Sequence, residues 1–187
     1  SSLLERAFRE GPALIQVVTG PRQVGKTTAA GQLAKHLNWP TVFEIADSPT
    51  PYSADWIENH WRRARLRSEG KPTLLVLDEI QKISGWSEMI KRLWDEEQRT
   101  TNLVRPLLLG SSALLLQKGL TESLAGRFFL HRFPHWSKAE CRMAFGWGLE
   151  EWLYFGGYPG AAVFVKEEKS WKRYILDSLI ETVLARD

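Results

Sequence analysis

This 187-residue sequence has no long apolar segment, no signal-peptide pattern among its first residues and no pair of cysteines. No apolar run approaches the ~20 residues that a membrane-spanning helix needs, and the first residues do not form a signal-peptide pattern. Cys141 is the single cysteine, so no disulfide can form within the chain and a reducing cytoplasm is expected. The net charge of +3 is too small to indicate a nucleic-acid partner by itself.

The feature around which the chain is organised is a glycine-rich stretch that fits the P-loop (Walker A) pattern G-x-x-x-x-G-K-[ST] at every fixed position. An apolar, β-branched run at 13–18 precedes it and predicts a buried strand. Apolar residues at helical spacing follow it, from Ala29 to Leu37, and predict a helix. Strand, loop and helix are the context that supports a phosphate site. The residues predicted to bind nucleotide here are Gly20, Pro21, Arg22, Gln23, Val24, Gly25, Lys26, Thr27 and Thr28.

Phosphate and Mg²⁺ binding explain why the glycines, the lysine and the threonine occur at these positions of the loop. Gly20 and Gly25 permit backbone conformations and close approaches that a Cβ would block. The loop N–H groups then cradle phosphate oxygens at a helix N-terminus, where the helix dipole favours anions. Lys26 is predicted to reach the β- and γ-phosphates and Thr27 to ligate Mg²⁺ through its hydroxyl.

A second informative stretch is the run Thr73–Glu79, in which four consecutive apolar residues precede two carboxylates. Such a run predicts a strand buried on both faces of a parallel sheet, and ligands of open α/β sheets bind at the carboxyl ends of strands. Asp78 is predicted to act as a Walker B aspartate that orders Mg²⁺. Glu79 is predicted to polarise the water that attacks the γ-phosphate. The alternative is an acidic turn that caps the next helix.

The remaining segments complete an α/β pattern. Further strands are predicted at 41–45, 106–112 and 128–133, helices at 53–68 and 167–186, and two short helices over 137–155. The helix at 53–68 carries a run of arginines that could contact DNA, although a solvated helix face is the simpler interpretation.

Several motifs in this order resemble the prokaryotic AAA-type ATP-binding proteins, whose ATPase domain precedes a C-terminal domain of unknown function. The motifs are Gly20–Thr28, Leu77–Lys82, Gly110–Ser112, Glu122–Arg127 and Gly156–Pro159. The resemblance implies a three-layer P-loop NTPase core with a parallel sheet of strand order 5-1-4-3-2. A small helical lid is implied after it. The domains expected are a core at 1–136 and, at 137–187, the lid with the start of a connection to a C-terminal domain that is missing here.

The resemblance also implies roles for single residues. Ser111 or Ser112, at the end of a strand, would sense the γ-phosphate, although simple turn chemistry explains either serine as well. Pro159 would lie near the adenine. Arg127 would reach the γ-phosphate of a neighbouring subunit in a homo-oligomer, and the alternatives are an ion pair with Glu122 or a phosphate contact within the same chain.

We therefore expect an ATP-binding, Mg²⁺-dependent ATPase module that converts ATP to ADP and phosphate. A nucleotide-loaded switch or scaffold with little turnover would use the same binding residues. A small-molecule kinase is disfavoured because Glu79 directly follows Asp78. A GTPase is disfavoured because the sequence has no Asn-Lys-x-Asp motif. A DNA-associated ATPase remains an alternative.

Overall fold

The computed structural model describes residues 2–11, 13–100, 102–111, 120 and 123–180. The chain forms two compact units, Ser1–Gly20 with Lys26–Arg132 and Pro21–Gly25 with Phe133–Asp187. The first unit thus holds both ends of the glycine-rich loop, and the second unit holds its centre. The division into domains at 1–136 and 137–187 stays a prediction.

A five-stranded parallel sheet forms the centre of the first unit. Its strands pair in the order β2-β3-β4-β1-β5, which confirms the predicted order 5-1-4-3-2 and the α/β class. Parallel pairing buries the central strands on both faces, and every residue of β1 and β3 is buried. The strands are β1 (Ile15–Thr19), β2 (Thr41–Ile45), β3 (Thr73–Asp78), β4 (Val104–Gly110) and β5 (Phe128–Arg132).

Helices cover both faces of this sheet. Leu75 and Leu77 point to one face, where they join the core cluster that includes Trp61 and Ile90. Leu74 and Val76 point to the other face because side chains alternate along a strand, and they are also fully buried. The helices are α1 (Ser2–Arg9), α2 (Lys26–Leu37), α3 (Asp55–Ser68) and α4 (Trp86–Arg99), with a 3₁₀ turn at Ile80–Lys82.

A buried carboxylate ties the end of α4 to its neighbours. Glu97 is fully buried, and its Oε2 accepts hydrogen bonds from Trp61 Nε1 at 3.1 Å and Arg65 Nε at 2.7 Å. Its Oε1 accepts from the backbone N–H groups of Leu103 and Val104, at 2.9 and 3.2 Å. These donors compensate the burial of the charge and fix α3 and α4 to the start of β4.

The second unit is built from short helices and aromatic side chains. Trp136, Phe145, Trp147 and Phe155 form successive ring contacts with centroids 4.9–5.7 Å apart. Four of the nine tryptophans lie here, and aromatic rings contact one another through much of this unit, whose described residues contain no strand. Its helices are α5 (Lys138–Phe145), α6 (Leu149–Phe155) and α7 (Glu168–Tyr174), with a 3₁₀ helix at Pro159–Phe164.

The helix predicted at 167–186 is only partly α-helical. It begins as α7 and continues as a π-helix over Ile175–Ile180, and residues 181–187 lie outside the described residues. None of the helices in the described ranges has the length and apolar composition that crossing a bilayer requires.

The Glu97 contacts predict a large, local effect on stability. We expect Glu97→Ala to lower the free energy of unfolding by about 3–5 kcal/mol, because it leaves Trp61 Nε1, Arg65 Nε and two backbone N–H donors without their acceptor. Glu96→Ala is the matched control, since Glu96 also pairs with Arg65, at 2.9 Å, but has a half-exposed side chain. Its expected cost is below about 1 kcal/mol. Urea unfolding measures both variants, and equal unfolding midpoints would contradict the prediction.

Candidate functional site

The glycine-rich loop leaves β1 and enters α2. Gly25 has a φ of +92°, a backbone conformation that residues with a side chain rarely adopt, and Gln23 also has a positive φ of 60°. In the first unit, the Lys26 side chain is only 7% exposed, and its Nζ donates a hydrogen bond to the Gly20 carbonyl at 2.8 Å. The lysine ammonium is therefore folded back over its own loop.

A hydrogen bond joins the loop to the end of β3. The Thr27 hydroxyl donates to Asp78 Oδ2 at 2.6 Å, although the two residues are 51 positions apart in sequence. Asp78 is the last residue of β3 and is buried, while Thr27 is exposed in the first turn of α2. The structure thus brings together the two residues that the sequence predicts as Mg²⁺ ligands.

Glu79 is held by residues from two different elements. The Glu79 backbone has a φ of 55°, in the left-handed region, and its N–H donates to Asp78 Oδ1 at 2.8 Å. Glu79 Oε2 accepts hydrogen bonds from Gln81 Nε2 at 2.5 Å and from the Ser111 hydroxyl at 3.0 Å. Strained backbone conformations of this kind occur preferentially at functional sites. Ser111 directly follows β4, whereas Ser112 lies outside the described residues.

Sheet topology explains why these groups meet. β4 pairs with both β1 and β3, so the carboxyl ends of all three strands lie at one edge of the sheet. The loop after β1, the two carboxylates after β3 and Ser111 after β4 all begin there. This edge is where open α/β sheets bind ligands.

The centre of the loop makes its own contacts within the second unit. Trp136 Nε1 donates to the Val24 carbonyl at 3.0 Å, and the Tyr174 hydroxyl donates to Gln23 Oε1. Gly160 also lies against Gln23, because a Cβ at Gly160 would come within 3.0 Å of Gln23 Oε1. Pro159 therefore stands one residue from a contact with the loop. Its predicted position near adenine stays a prediction.

Gly157 holds the aromatic residue that touches the loop. A Cβ at Gly157 would lie 2.3 Å from the Trp136 carbonyl oxygen, so only glycine fits there. The Gly157 carbonyl accepts from the Trp136 N–H at 2.9 Å, and the Trp136 carbonyl accepts from Trp152 Nε1 at 3.2 Å. The Gly-Gly-Tyr-Pro turn thus packs against the Trp136 backbone and holds this residue in position.

Arg127 lies in an ion pair within the first unit. Its Nε and Nη2 donate to the two carboxylate oxygens of Asp95 at 2.8 and 3.1 Å. This hydrogen bonding holds the pKa of the Asp95 carboxyl below its ordinary value. Glu122, the ion-pair partner considered from the sequence, lies outside the described residues. A role for Arg127 at the phosphate of a neighbouring subunit stays a prediction.

The arginines of α3 also have acceptors in the first unit. Each arginine makes at least one hydrogen bond, either within α3 or to one of two other elements, β2 and α4. The pairs are Arg62 with Glu58, Arg63 with Glu44, Arg65 with Glu96 and Glu97, and Arg67 with the Thr41 carbonyl. These pairings support the interpretation of a solvated, salt-bridged helix face, and they give no support to a DNA contact.

The ligand set fits Mg²⁺ better than a transition metal. A hydroxyl and a carboxylate are hard oxygen donors, and Mg²⁺ is commonly bound by one or two carboxylates together with substrate phosphates and waters. Within the described ranges, no group of three or more His, Cys, Asp or Glu side chains is arranged to hold a metal ion. Thr27 and Asp78 would therefore bind Mg²⁺ together with a nucleotide rather than alone.

Comparison with known proteins agrees with this geometry. The family model described as an AAA domain matches residues 13–141, more than half of the chain. The chain therefore belongs to the AAA domain family. The family and the parallel sheet together are those of an ATP-binding ATPase module.

The individual relatives say less about function. Two mycobacterial proteins, the uncharacterized Mb2031c of Mycobacterium bovis and Rv2008c of Mycobacterium tuberculosis, are each 30% identical over 98% of this chain. The chain spans 38% of the length of each. Two solved structures of Thermotoga maritima RuvB, one titled a Holliday junction branch migration motor, align with a TM-score of 0.49 at 20% and 22% identity. Each alignment covers 76% of this chain and 45% of the RuvB chain.

Three site contacts were not predicted from the sequence. Gln81 bonds Glu79 in the first unit, and Trp136 and Tyr174 contact the centre of the loop within the second unit. The sequence does hold a signal for the hydrogen bond between Gln81 and Glu79, because Gln81 follows Glu79 by only two residues. The other two contacts span more than 100 residues of sequence, and no local pattern indicates them.

Proposed function

We propose that this chain binds ATP with Mg²⁺ and hydrolyses it to ADP and phosphate. The observation that carries the proposal is the 2.6 Å hydrogen bond from Thr27 to Asp78, which joins a P-loop hydroxyl to the carboxylate at the end of β3. Because a hydroxyl and a buried carboxylate meet beside a helix N-terminus, the site suits both a cation and the phosphates that accompany it.

The loop residues are proposed to hold the phosphates. Loop N–H groups at the start of α2 face developing negative charge, and Lys26 adds a full positive charge. The Lys26 ammonium now bonds the Gly20 carbonyl at 2.8 Å, and it would exchange this neutral acceptor for phosphate oxygens. A charged acceptor makes the stronger hydrogen bond, so the exchange favours the bound state.

Mg²⁺ would be held by Thr27 and Asp78, with the remaining ligands from phosphate and water. When bound, it would neutralise charge on the β- and γ-phosphates. Glu79 is proposed to accept the proton of the attacking water. Ser111 is proposed to contact the γ-phosphate, and its hydroxyl would then exchange its hydrogen bond to Glu79 Oε2 for one to a phosphate oxygen, which leaves Gln81 as the donor to Oε2. Catalysis of phosphoryl transfer depends mainly on positioning and charge stabilisation, and residues fixed on three neighbouring strands supply the positioning.

Glu79 is the residue that separates hydrolysis from a nucleotide-loaded switch. We expect Glu79→Gln to retain ATP binding and to slow turnover by about 10²-fold or more, because glutamine keeps the shape and removes the proton acceptor. Steady-state phosphate release and ATP titration measure the two effects. Glu69→Gln, at the exposed end of α3, is the matched control and should keep the wild-type rate. Normal turnover by Glu79→Gln would contradict the role of Glu79 and favour the switch.

Pro159 supports a further expectation about the base. We propose that it contacts adenine, because the turn that contains it reaches Gln23 of the loop within the second unit. ATP should therefore bind more tightly than GTP, and Pro159→Ala should narrow the difference. Competition of the two nucleotides for the wild-type protein measures this preference, and equal displacement by GTP would remove Pro159 from the base site.

A further inference from the structure

The two carboxylate oxygens of Glu79 differ in their hydrogen-bond partners. Oε2 accepts from Gln81 Nε2 at 2.5 Å and from the Ser111 hydroxyl at 3.0 Å, so both of its in-plane lone pairs have donors. Among the described residues, no donor bonds Oε1. The carboxylate is thus fixed through one oxygen, and the other oxygen is left as the proton acceptor.

The backbone of Gln81 is held in place by contacts other than the side-chain hydrogen bond to Glu79. It lies in the 3₁₀ turn Ile80–Lys82, in which the Lys82 N–H donates to the Glu79 carbonyl at 3.0 Å. Ile80, the first residue of the turn, and Ile83, the residue directly after it, are 0% and 1% exposed. A side chain that starts from a packed backbone loses less freedom when it bonds, so it can orient a neighbour accurately.

The other half of the Gln81 amide has no compensating contact. Gln81 Oε1 is buried, and it has no hydrogen-bond partner among the described residues. A buried acceptor without a donor destabilises the folded state, whereas the Nε2 donor contributes its bond to Glu79. The amide therefore contributes little net stability, and its clear effect is on the orientation of the Glu79 carboxylate.

We propose that Gln81 is a positioning residue for hydrolysis, which holds Oε2 of Glu79 and so presents Oε1 to the attacking water. The inference rests on the proposed ATPase function. In the step, the water oxygen bonds to the γ-phosphorus and the water proton passes to Oε1. The bond from γ-phosphorus to the bridging oxygen breaks, and its electron pair remains on ADP. The proton on Oε1 then transfers to the released phosphate.

Gln81→Met tests the inference because methionine keeps the length of the side chain and removes both the donor and the buried acceptor. We expect kcat to fall at least about tenfold, a part of the ~10²–10⁴-fold that a positioned general base contributes. KM and ATP affinity should stay within twofold, and the thermal midpoint should be unchanged or higher. Gln98→Met, on the exposed side of α4, is the matched control and should keep the wild-type kcat.

A double-mutant cycle shows whether Gln81 acts through Glu79. In a Glu79→Gln background, Gln81→Met should lower kcat no further, because the group that it positions is gone. An equal loss in both backgrounds would overturn the inference, as would a kcat of Gln81→Met within twofold of wild type. Absence of turnover by the wild-type protein would instead overturn the proposed function, and this inference with it.

Discussion

The arrangement of the site depends on the 2.6 Å hydrogen bond between Thr27 and Asp78. It requires β1 and β3 to end at the same level, which the intervening strand β4 ensures by pairing with both in parallel. Most positions of these buried strands are apolar, and the polar site residues Asp78, Glu79 and Ser111 stand at the strand ends or directly after them. The physical demand for a dry sheet interior thus places the chemistry at one edge.

Hydrogen-bond donors orient two important carboxylates, with different consequences. Trp61, Arg65 and the backbone N–H groups of Leu103 and Val104 donate to Glu97, and this carboxylate joins helices to the sheet within the first unit. The two donors to Glu79 bind a single oxygen, which restrains its orientation and leaves the second oxygen for chemistry. The centre of the P-loop is restrained in a third way, by Trp136 and Tyr174 of the second unit.

Sequence patterns predicted the sheet and most of the site because the signals are local. The short apolar run before Asp78 has no polar residue to place at a surface, which favours a buried strand, and the glycine-rich loop is identified by its own residue spacing. The family resemblance supplied the strand order, which local patterns do not contain. Partners of long side chains could not be predicted. Arg127 pairs with Asp95 across 32 residues, and Gln81 bonds Glu79 in a turn whose left-handed backbone at Glu79 no local pattern indicates.

ATP titration of Lys26→Ala and Lys35→Ala tests most directly whether the loop holds a triphosphate. Both lysines belong to α2, but Lys26 lies at the loop and Lys35 is exposed in the last turn. The account predicts that Lys26→Ala weakens ATP binding about 10–100-fold, as expected for the loss of hydrogen bonds worth ~1.5–3 kcal/mol to a charged group, and that AMP binding changes little. Lys35→Ala should bind both nucleotides normally. Unchanged ATP affinity of Lys26→Ala at moderate salt would contradict the assignment of the loop.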